Sequence, residues 1–285
     1  MGVQPVEAID ATLPINAATP GYFTLSDLLS VLDLRGDVPP VPARTLASAH
    51  GGVWGSQQLG QQVMLAERLT PGKVVHSLHT IFARPGDCMQ PVWIDVERLA
   101  SGGSVDALAL TFRQGAQQLS RATMMLRAPA PDFLRVSPAI TMPPGPDAGE
   151  PDDDRPMMPW ESRALPPVEE NVRDHWSRIS GAGSDPTLWR ALIAHSCELF
   201  PLADIVVAQG LAEAPRAPRA GIAAMVLSQT VTFFNDLDVR DWHLYRVHTV
   251  HVGHGRTGSR IEVFAPDGTL RAEAEIIGLL RGTRS

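Results

Sequence analysis

Cysteine is scarce in this chain, and its scarcity limits the kinds of site that the sequence can build. The 285 residues include only two cysteines, Cys88 and Cys197. Two cysteines provide neither a disulfide framework nor the paired spacing of a zinc site. A reduced, cytoplasmic setting is therefore the default expectation, and Cys197 is predicted to be buried and inert.

Long apolar runs and signals for export are also missing. No stretch approaches the length needed to cross a bilayer, so no membrane span is expected. Residues 1–22 lack a basic segment followed by an apolar one, so no secretory signal is predicted.

Positive charge is in the minority, with 24 Lys and Arg against 31 Asp and Glu and a formal net charge of −7. This balance gives no electrostatic reason to expect nucleic acid as a partner. The histidines of the run His248–His254 are not spaced to point to one face of a strand, which is poor geometry for a metal site. No metal ion or organic cofactor is expected.

What the chain does contain is a β-rich stretch that ends in a sharp turn. Residues Val74–Phe82 are predicted to form a strand, because their side chains alternate between two faces. The run Arg84–Asp87 ends that strand, since proline lacks a ladder donor and glycine supplies the turn. A second strand is predicted at Pro91–Arg98, so the two form an antiparallel pair.

A segment rich in glycine and glutamine, Gly51–Met64, precedes this pair. Glycine is unfavourable in an isolated helix. The helix predicted over residues 55–68 is therefore expected to lie tightly against a sheet, where the missing side chains allow close approach. A shorter amphipathic helix is predicted upstream, over Thr24–Leu34, with Thr24 as its N-cap and Asp27 completing a capping box.

These motifs together resemble the acyl-CoA thioesterase II (TesB-type) family. The resemblance rests on GSQQLGQQ, on HSLHTIFARPGD from His76 to Asp87, and on DVERLASGGS from Asp95 to Ser104. It implies an α+β fold called a double hotdog, in which two antiparallel sheets each wrap around a central helix within one chain. It also implies an acyl-CoA ligand or substrate, and it makes a homo-oligomer plausible.

The second half of the chain repeats the order of elements of the first, which supports a duplication. A helix over Pro186–Gln209 is followed by strands that correspond to those of the first half. The segment between the halves is rich in proline and contains the acidic run Asp152–Asp154, so a surface linker is predicted. The predicted domains are 1–127 and 168–285, joined by the linker 128–167.

The resemblance also indicates where catalytic residues should stand in the second half, namely an Asp, a Thr and a Gln. The Asp lies five residues before a proline, and Ser196 holds that position here. Val226 holds the position of the Thr and Ile276 that of the Gln. Valine and isoleucine cannot orient a water, so the family's usual constellation is replaced.

Substitutes are available in the neighbourhood of these positions. His195 adjoins Ser196, and Glu198 lies two residues on, but neither is expected to share the direction of Ser196 on a helix. Ser228 and Thr230 stand on the strand that carries Val226. The predicted catalytic residues are Ser196, His195, Ser228 and Thr230.

The corresponding pocket of the first half is a second candidate for contact with the acyl-CoA. Gln57 lies on its helix, and Ser77 and His79 lie on the facing strand. The predicted substrate-binding residues are Gln57, Ser77, His79, Val226 and Ile276. The alternative for the first three is a structural role, in which they satisfy hydrogen bonds where the two domains meet.

Two functions remain open at this point, and a third is disfavoured. The first is an acyl-CoA thioester hydrolase that releases a carboxylic acid and CoA through a rearranged site. The second is a catalytically degenerate acyl-CoA binding protein. A hotdog dehydratase would need an Asp and a His at the mouth of one tunnel, and no D-x-x-x-x-H sequence offers them.

Overall fold

The structure is a computed structural model that describes residues 14–36, 38–137, 140–152, 158–213 and 221–282. Its regular elements run along the chain as follows: α1 (Leu25–Leu32), β1 (Val41–Ala43), α2 (Gly55–Leu69), β2 (Val74–Phe82), β3 (Val92–Ser101), β4 (Val105–Gln114), β5 (Gln117–Arg127), β6 (Glu150–Pro151), β7 (Glu161–Ala164), β8 (Val172–Arg178), α3 (Pro186–Cys197), α4 (Pro201–Ala208), β9 (Ile222–Phe233), β10 (His243–Gly253), β11 (Arg256–Phe264) and β12 (Leu270–Gly282).

The strands form one antiparallel sheet in the order β1-β3-β4-β5-β2-β9-β12-β11-β10-β8-β7-β6. The strands of the first half occupy one side of this order and those of the second half the other. They meet where β2 pairs with β9, with Leu78 opposite Val231. The predicted duplicated α+β architecture is confirmed, and its two sheets are continuous through this pair.

The central helices α2 and α3 pack along each other on the inner face of the sheet, and α1 packs on α2. Gly60 makes this contact possible. A Cβ atom at this position would lie 2.7 Å from Cδ2 of Leu32 in α1 and 3.2 Å from the carbonyl oxygen of Ala191 in α3. The prediction that the glycines of α2 allow close approach therefore holds at Gly60 for the neighbouring helices rather than for the sheet.

Strand alternation decides which side chains face the helices. In β2, Leu78 and Thr80 are buried on the inner face, whereas His79 is exposed on the outer face. In β9, Gln229 and Val231 are buried in the same way. Odd and even positions of these strands therefore serve opposite sides of the sheet.

The helix predicted over Pro186–Gln209 is divided in the structure. α3 ends at Cys197, and α4 begins at Pro201, whose ring cannot continue the preceding helix. The expectation that no apolar stretch is long enough to cross a bilayer was wrong for Pro186–Ala208, which meets that criterion by length and composition. Its apolar window is 78% buried inside the protein, as is usual for a core helix.

Part of the segment 128–167, predicted as a linker, forms strands. β6 pairs with β7, and β7 pairs with β8, so both extend the sheet of the second half. Asp152 of the predicted acidic run lies 3.3 Å from His175 of β8, while Asp153 and Asp154 lie outside the described residues. The division of the chain at residues 128 and 168 stays a prediction.

Candidate active site

Ser196, at the family's Asp position, is fully buried near the C-terminal end of α3. Its hydroxyl donates to the carbonyl oxygen of Leu192 at 2.5 Å and lies 3.1 Å from the hydroxyl of Tyr245. Burial raises the pKa of that Tyr245 phenol, so Tyr245 stays protonated and is no base. Ser196 is thus held by its own helix and a neutral partner, and nothing here would deprotonate it.

Ile276 and Val226, at the Gln and Thr positions, belong to the apolar interior. Ile276 is 1% exposed and lies opposite Gln229 of β9. The Gln229 amide donates to the carbonyl oxygen of Ala194 in α3 at 3.1 Å. Val226 is half-buried and packs against the core. Hydrocarbon therefore stands at both positions where a hydroxyl and an amide were expected.

Ser228 and Thr230 stand on the outer face of the sheet, and so do Ser77 and His79 of β2. Thr230 lies opposite His79 across the β2–β9 pair, with 2.9 Å between the Thr230 hydroxyl and Nδ1 of the imidazole. The structure therefore does not bring Ser228 and Thr230 together with Ser196. Their registers put them on the face away from α3 because strand side chains alternate. For the same reason Ser77 and His79 do not face α2 as predicted.

His195 and Gln57 are both fully buried. The His195 ring meets Trp160 edge to face at 5.8 Å between centroids. Gln57 accepts a hydrogen bond from the amide of Leu46 at 2.9 Å. The next glutamines of α2 make comparable links to other elements, namely Gln58 to Ser120, Gln61 to Val31 and Arg44, and Gln62 to Thr80.

A carboxylate from the second half lies at the N-terminus of the first half's central helix. It belongs to Glu198, the C-cap residue of α3. A Cβ atom at Gly55, the first residue of α2, would lie 2.8 and 2.9 Å from the two carboxylate oxygens and 3.1 Å from Cε1 of Phe82. Only glycine lets the carboxylate come this close to the start of the helix. The backbone N–H of Ser56 donates a hydrogen bond to it.

The charge state of Glu198 is strongly perturbed. Burial raises the pKa of its carboxyl from the ordinary 4.5 to about 8, and the hydrogen bond from Ser56 opposes this only in part. Oε2 is buried without a hydrogen-bond partner, and no ion pair to Glu198 occurs in the described part of the chain. Glu198 is therefore a carboxyl that gains and loses its proton near neutral pH.

Glu67 of α2 occupies the reciprocal position at the start of α3, and its environment is the opposite. Arg190 of α3 donates to both its oxygens, at 2.6 Å each. Thr187 of α3 adds a hydrogen bond of 2.8 Å, and the amide of Val75 adds one of 3.0 Å. Both oxygens of Glu67 are thus paired with a cation, whereas the carboxyl at the start of α2 has no cation beside it among the described residues.

Sequence reasoning noted Glu198 but did not select it, because residues i and i+2 point in different directions on a helix. The two side chains do point to different places, since Ser196 bonds Leu192 and Tyr245 while Glu198 lies at the start of α2, so Glu198 was missed because only partners of Ser196 were sought. The sequence did contain a signal for Glu198, namely a carboxylate that lies between the end of a central helix and a proline that breaks the helix. Cys197 next to it is buried as predicted, and this burial raises the pKa of its thiol to about 12.

No group of three or more His, Cys, Asp or Glu side chains in the described part of the chain has the geometry to hold a metal ion. The chemistry available at the start of α2 is that of a carboxyl beside backbone N–H groups. Such an arrangement can activate a water and stabilise an oxyanion.

Comparison with known proteins agrees with this architecture. Residues 42–127 match the acyl-CoA thioesterase N-terminal domain, and residues 128–275 match the acyl-CoA thioesterase C-terminal domain. The chain is 23% identical over 260 residues to acyl-CoA thioesterase 2 of Haemophilus influenzae, covering 80% of this chain and 87% of that protein.

Solved structures share the fold. A tesB protein of Mycobacterium avium subspecies paratuberculosis aligns with a TM-score of 0.77 and 23% identity over 90% of this chain and 100% of that one. Acyl-CoA thioesterase II TesB2 of Mycobacterium marinum aligns with the same score and identity, over 90% of this chain and 98% of that one. Since the two family domains together span residues 42–275, the chain belongs to the TesB-type acyl-CoA thioesterase II family.

Proposed function

We propose that this protein hydrolyses an acyl-CoA thioester to a carboxylic acid and CoA, with Glu198 as the general base. The observation that carries the proposal is the carboxyl of Glu198 at the N-terminus of α2, with a pKa raised to about 8 and no cation beside it in the described structure. Family membership supports the thioester as the class of substrate.

The roles follow from the positions of the groups. Besides the N–H of Ser56, which donates to Glu198, the first turn of α2 has backbone N–H groups that find no acceptor within the helix, and these stabilise the oxyanion formed when the thioester carbonyl is attacked. Ionised Glu198 removes a proton from the attacking water, so a hydroxyl adds to the carbonyl carbon. Collapse of the tetrahedral intermediate breaks the carbon–sulfur bond, and the proton held by Glu198 is returned to the departing thiolate.

The setting that we propose is the cytoplasm, in keeping with the two cysteines. The reaction as proposed needs only water as co-reactant, so the mechanism uses no metal or cofactor. A homo-oligomer remains part of the proposal.

The dependence of hydrolysis on pH tests the role of Glu198. Because the base must be ionised and its pKa is about 8, kcat/KM should rise about tenfold per pH unit below 8 and level off above it. Thiol release should be measured from short and long acyl-CoAs between pH 6 and 9.5, with the uncatalysed rate subtracted. The variant Glu198→Gln, which keeps the shape and loses the base, should be at least a hundredfold slower. A Glu198→Gln enzyme as fast as the wild type would refute the assignment.

A second candidate function is an acyl-CoA binding protein without turnover. The observation that favours it is the replacement of all three expected catalytic groups by Ser196, Val226 and Ile276. In this case calorimetry should detect acyl-CoA binding while wild-type protein releases no thiol. Turnover gained by the triple variant Ser196→Asp, Val226→Thr, Ile276→Gln would then place the lost chemistry at the family's usual positions.

A further inference from the structure

The second half carries an open groove that the proposed hydrolysis does not use. It lies between the loop 234–242, the turn after β11 and the first turns of α3, and its volume is about 460 Å³. The residues on which the following argument rests are Trp189, Asp236, Asp241, His243, Asp267 and Arg271. We call it the acidic groove.

The loop on the wall of the acidic groove corresponds in order to the loop 83–91 of the first half. Nine residues separate β9 from β10, and nine separate β2 from β3. In the first half, Gln114 at the end of β4 holds the loop 83–91 in place. Its side chain accepts a hydrogen bond from the amide of Asp87 at 2.9 Å and donates one to the carbonyl oxygen of Gln90 at 3.0 Å. β11 ends instead in Phe264, which cannot make such bonds. The second loop is held instead by backbone hydrogen bonds to Arg271, and the groove lies beside it.

Negative charge in the acidic groove exceeds positive charge. Asp238, also on its wall, is paired with Arg240, whose Nε lies 2.8 Å from the carboxylate. The carboxylate of Asp267 accepts a hydrogen bond from the amide of Thr269 at 2.9 Å. The hydrogen bonds from Thr269 and the nearby charge of Arg271 lower the pKa of Asp267. Two further carboxylates, those of Asp236 and Asp241, are exposed.

Neither Asp236 nor Asp241 has a side-chain hydrogen bond or ion pair within the described part of the chain. The wall carries four carboxylates against the single guanidinium of Arg271, and this excess of negative charge disfavours the phosphates of a second CoA molecule. A metal ion is equally unsuited, because no three ligating side chains of the described residues converge.

His243 supplies a second and independent indication of a ligand. It is only 3% exposed, yet it lines the groove. Its Nδ1 lies 3.0 Å from the carbonyl oxygen of Asp241, which can only accept, so Nδ1 carries the proton. Burial lowers the pKa of His243 and keeps the ring neutral. Nε2 is then an acceptor, and it has no hydrogen-bond partner among the described residues.

Trp189 also lines the acidic groove, and its ring already has a cation of the protein itself as a partner. Trp189 already has the guanidinium of Arg240 above its ring, 5.0 Å from the centroid. A tryptophan ring attracts cations through its quadrupole. The chemistry that satisfies the two exposed carboxylates and the acceptor Nε2 is therefore a positively charged group with N–H donors.

We propose that the acidic groove binds a small organic cation with N–H donors, an alkylammonium or guanidinium compound. Asp236 and Asp241 supply the charge, and Nε2 of His243 accepts an N–H hydrogen bond. The volume of about 460 Å³ fits a ligand of several carbon atoms rather than a single ion. The site is separate from Glu198 and stands whether or not the protein hydrolyses thioesters.

Calorimetric titration of the full chain with agmatine tests this proposal. The wild type should bind agmatine, and the variant Asp236→Asn/Asp241→Asn should bind it at least tenfold more weakly. The matched control Asp132→Asn/Asp147→Asn removes the same charge from exposed positions outside the groove, and its affinity should equal that of the wild type. Equal weakening in both double variants, or no binding to the wild type, would overturn the proposal.

Two further titrations test the role of His243. Tetramethylammonium has the charge but no N–H group, so it should bind at least tenfold more weakly than agmatine. His243→Gln keeps an acceptor and should retain more affinity than His243→Leu, with circular dichroism used to verify that both are folded. Binding of tetramethylammonium as tight as that of agmatine would show that charge alone acts, and inorganic phosphate binding at the groove would contradict the assignment altogether.

Discussion

At the scale of single residues, the central feature is that two glutamates in reciprocal places have opposite environments. Glu67 is neutralised by Arg190, whereas Glu198 is buried against the start of α2 with a pKa of about 8. A buried carboxyl without a cation is unfavourable for folding once it ionises. Strongly perturbed carboxyls of this kind are candidates for functional groups, and this is the ground on which we propose Glu198 as the base.

Stability should depend on pH through Glu198. Its pKa is about 8 in the folded protein and near 4.5 in the unfolded chain, so the folded state holds a proton that the unfolded state has already released. This contribution is complete below pH 4.5 and is lost as the pH rises to 8. The free energy of unfolding in urea should therefore fall less between pH 5 and pH 8.5 for Glu198→Gln than for wild type. An equal fall in both proteins would contradict the assigned pKa.

Gly55→Ala should impair catalysis more than folding. The added methyl group would lie 2.8 Å from the Glu198 carboxylate and must displace it, while alanine is the better helix former. We expect kcat to fall at least tenfold with the melting temperature little changed. The control is Gly103→Ala, because a methyl group at Gly103 would meet no other atom within 4 Å. Gly72 would not serve as a control, since its φ of +81° would strain any other residue. Unaltered kcat in Gly55→Ala would separate Glu198 from the chemistry.

At the scale of elements, the two central helices are joined by charge as well as by packing. Arg190 of α3 and Glu67 of α2 form a buried bidentate pair, with side chains 9% and 5% exposed. Gly60 lets the backbones approach in the same contact. The position of Glu198 depends on this helix pair, because Glu198 follows α3 of the second half while its carboxylate lies at the start of α2 in the first half.

Arg190→Met should be strongly destabilising. It leaves the Glu67 carboxylate buried without its cation, and breaking such a pair costs about 3–5 kcal/mol. The control is Arg121→Met, which removes the partner of Glu97 from a surface pair with side chains 47% and 60% exposed. That change should cost less than about 1 kcal/mol. Urea unfolding measures both, and similar losses in the two variants would show that Glu67 is not held as described.

The sequence was informative about elements and poor about the site. The strand Val74–Phe82 was predicted with its observed bounds, because alternation and the following Pro-Gly turn are local signals. The division of α3 from α4 was missed, since an apolar periodic pattern continues through Pro201. Glu198 was passed over because it does not share a helix face with Ser196, and Ser228 and Thr230 were chosen without knowing that β9 turns them to the outer face. Which face a strand residue occupies depends on pairing register, which is a long-range property.

At the scale of the whole molecule, the pairing of β2 with β9 makes the two halves one structure. Their sheets are continuous there, and residues of both halves share one hydrophobic core. We therefore expect the halves to unfold together, although their order of elements is duplicated.

Val231→Ala tests this cooperativity. Val231 is fully buried at the β2–β9 pair, and its truncation should cost about 2 kcal/mol. Hydrogen exchange followed by mass spectrometry should show β4 and β11 losing protection at the same lowered urea concentration. Val250→Ala, at a side chain that is 70% exposed, should change stability by less than about 0.5 kcal/mol. Loss of protection in β11 alone would show two independent folding units.

The ends of the twelve-stranded sheet are short and interrupted. The outermost strands are Val41–Ala43, which contains Pro42, and Glu150–Pro151. An outermost strand normally offers a row of free amides to which a foreign strand can add, and this is how fibrils grow. Proline removes an amide donor at each end here. Self-association that propagates by strand addition is thereby discouraged, so any assembly of several copies would have to use the broad faces of the molecule.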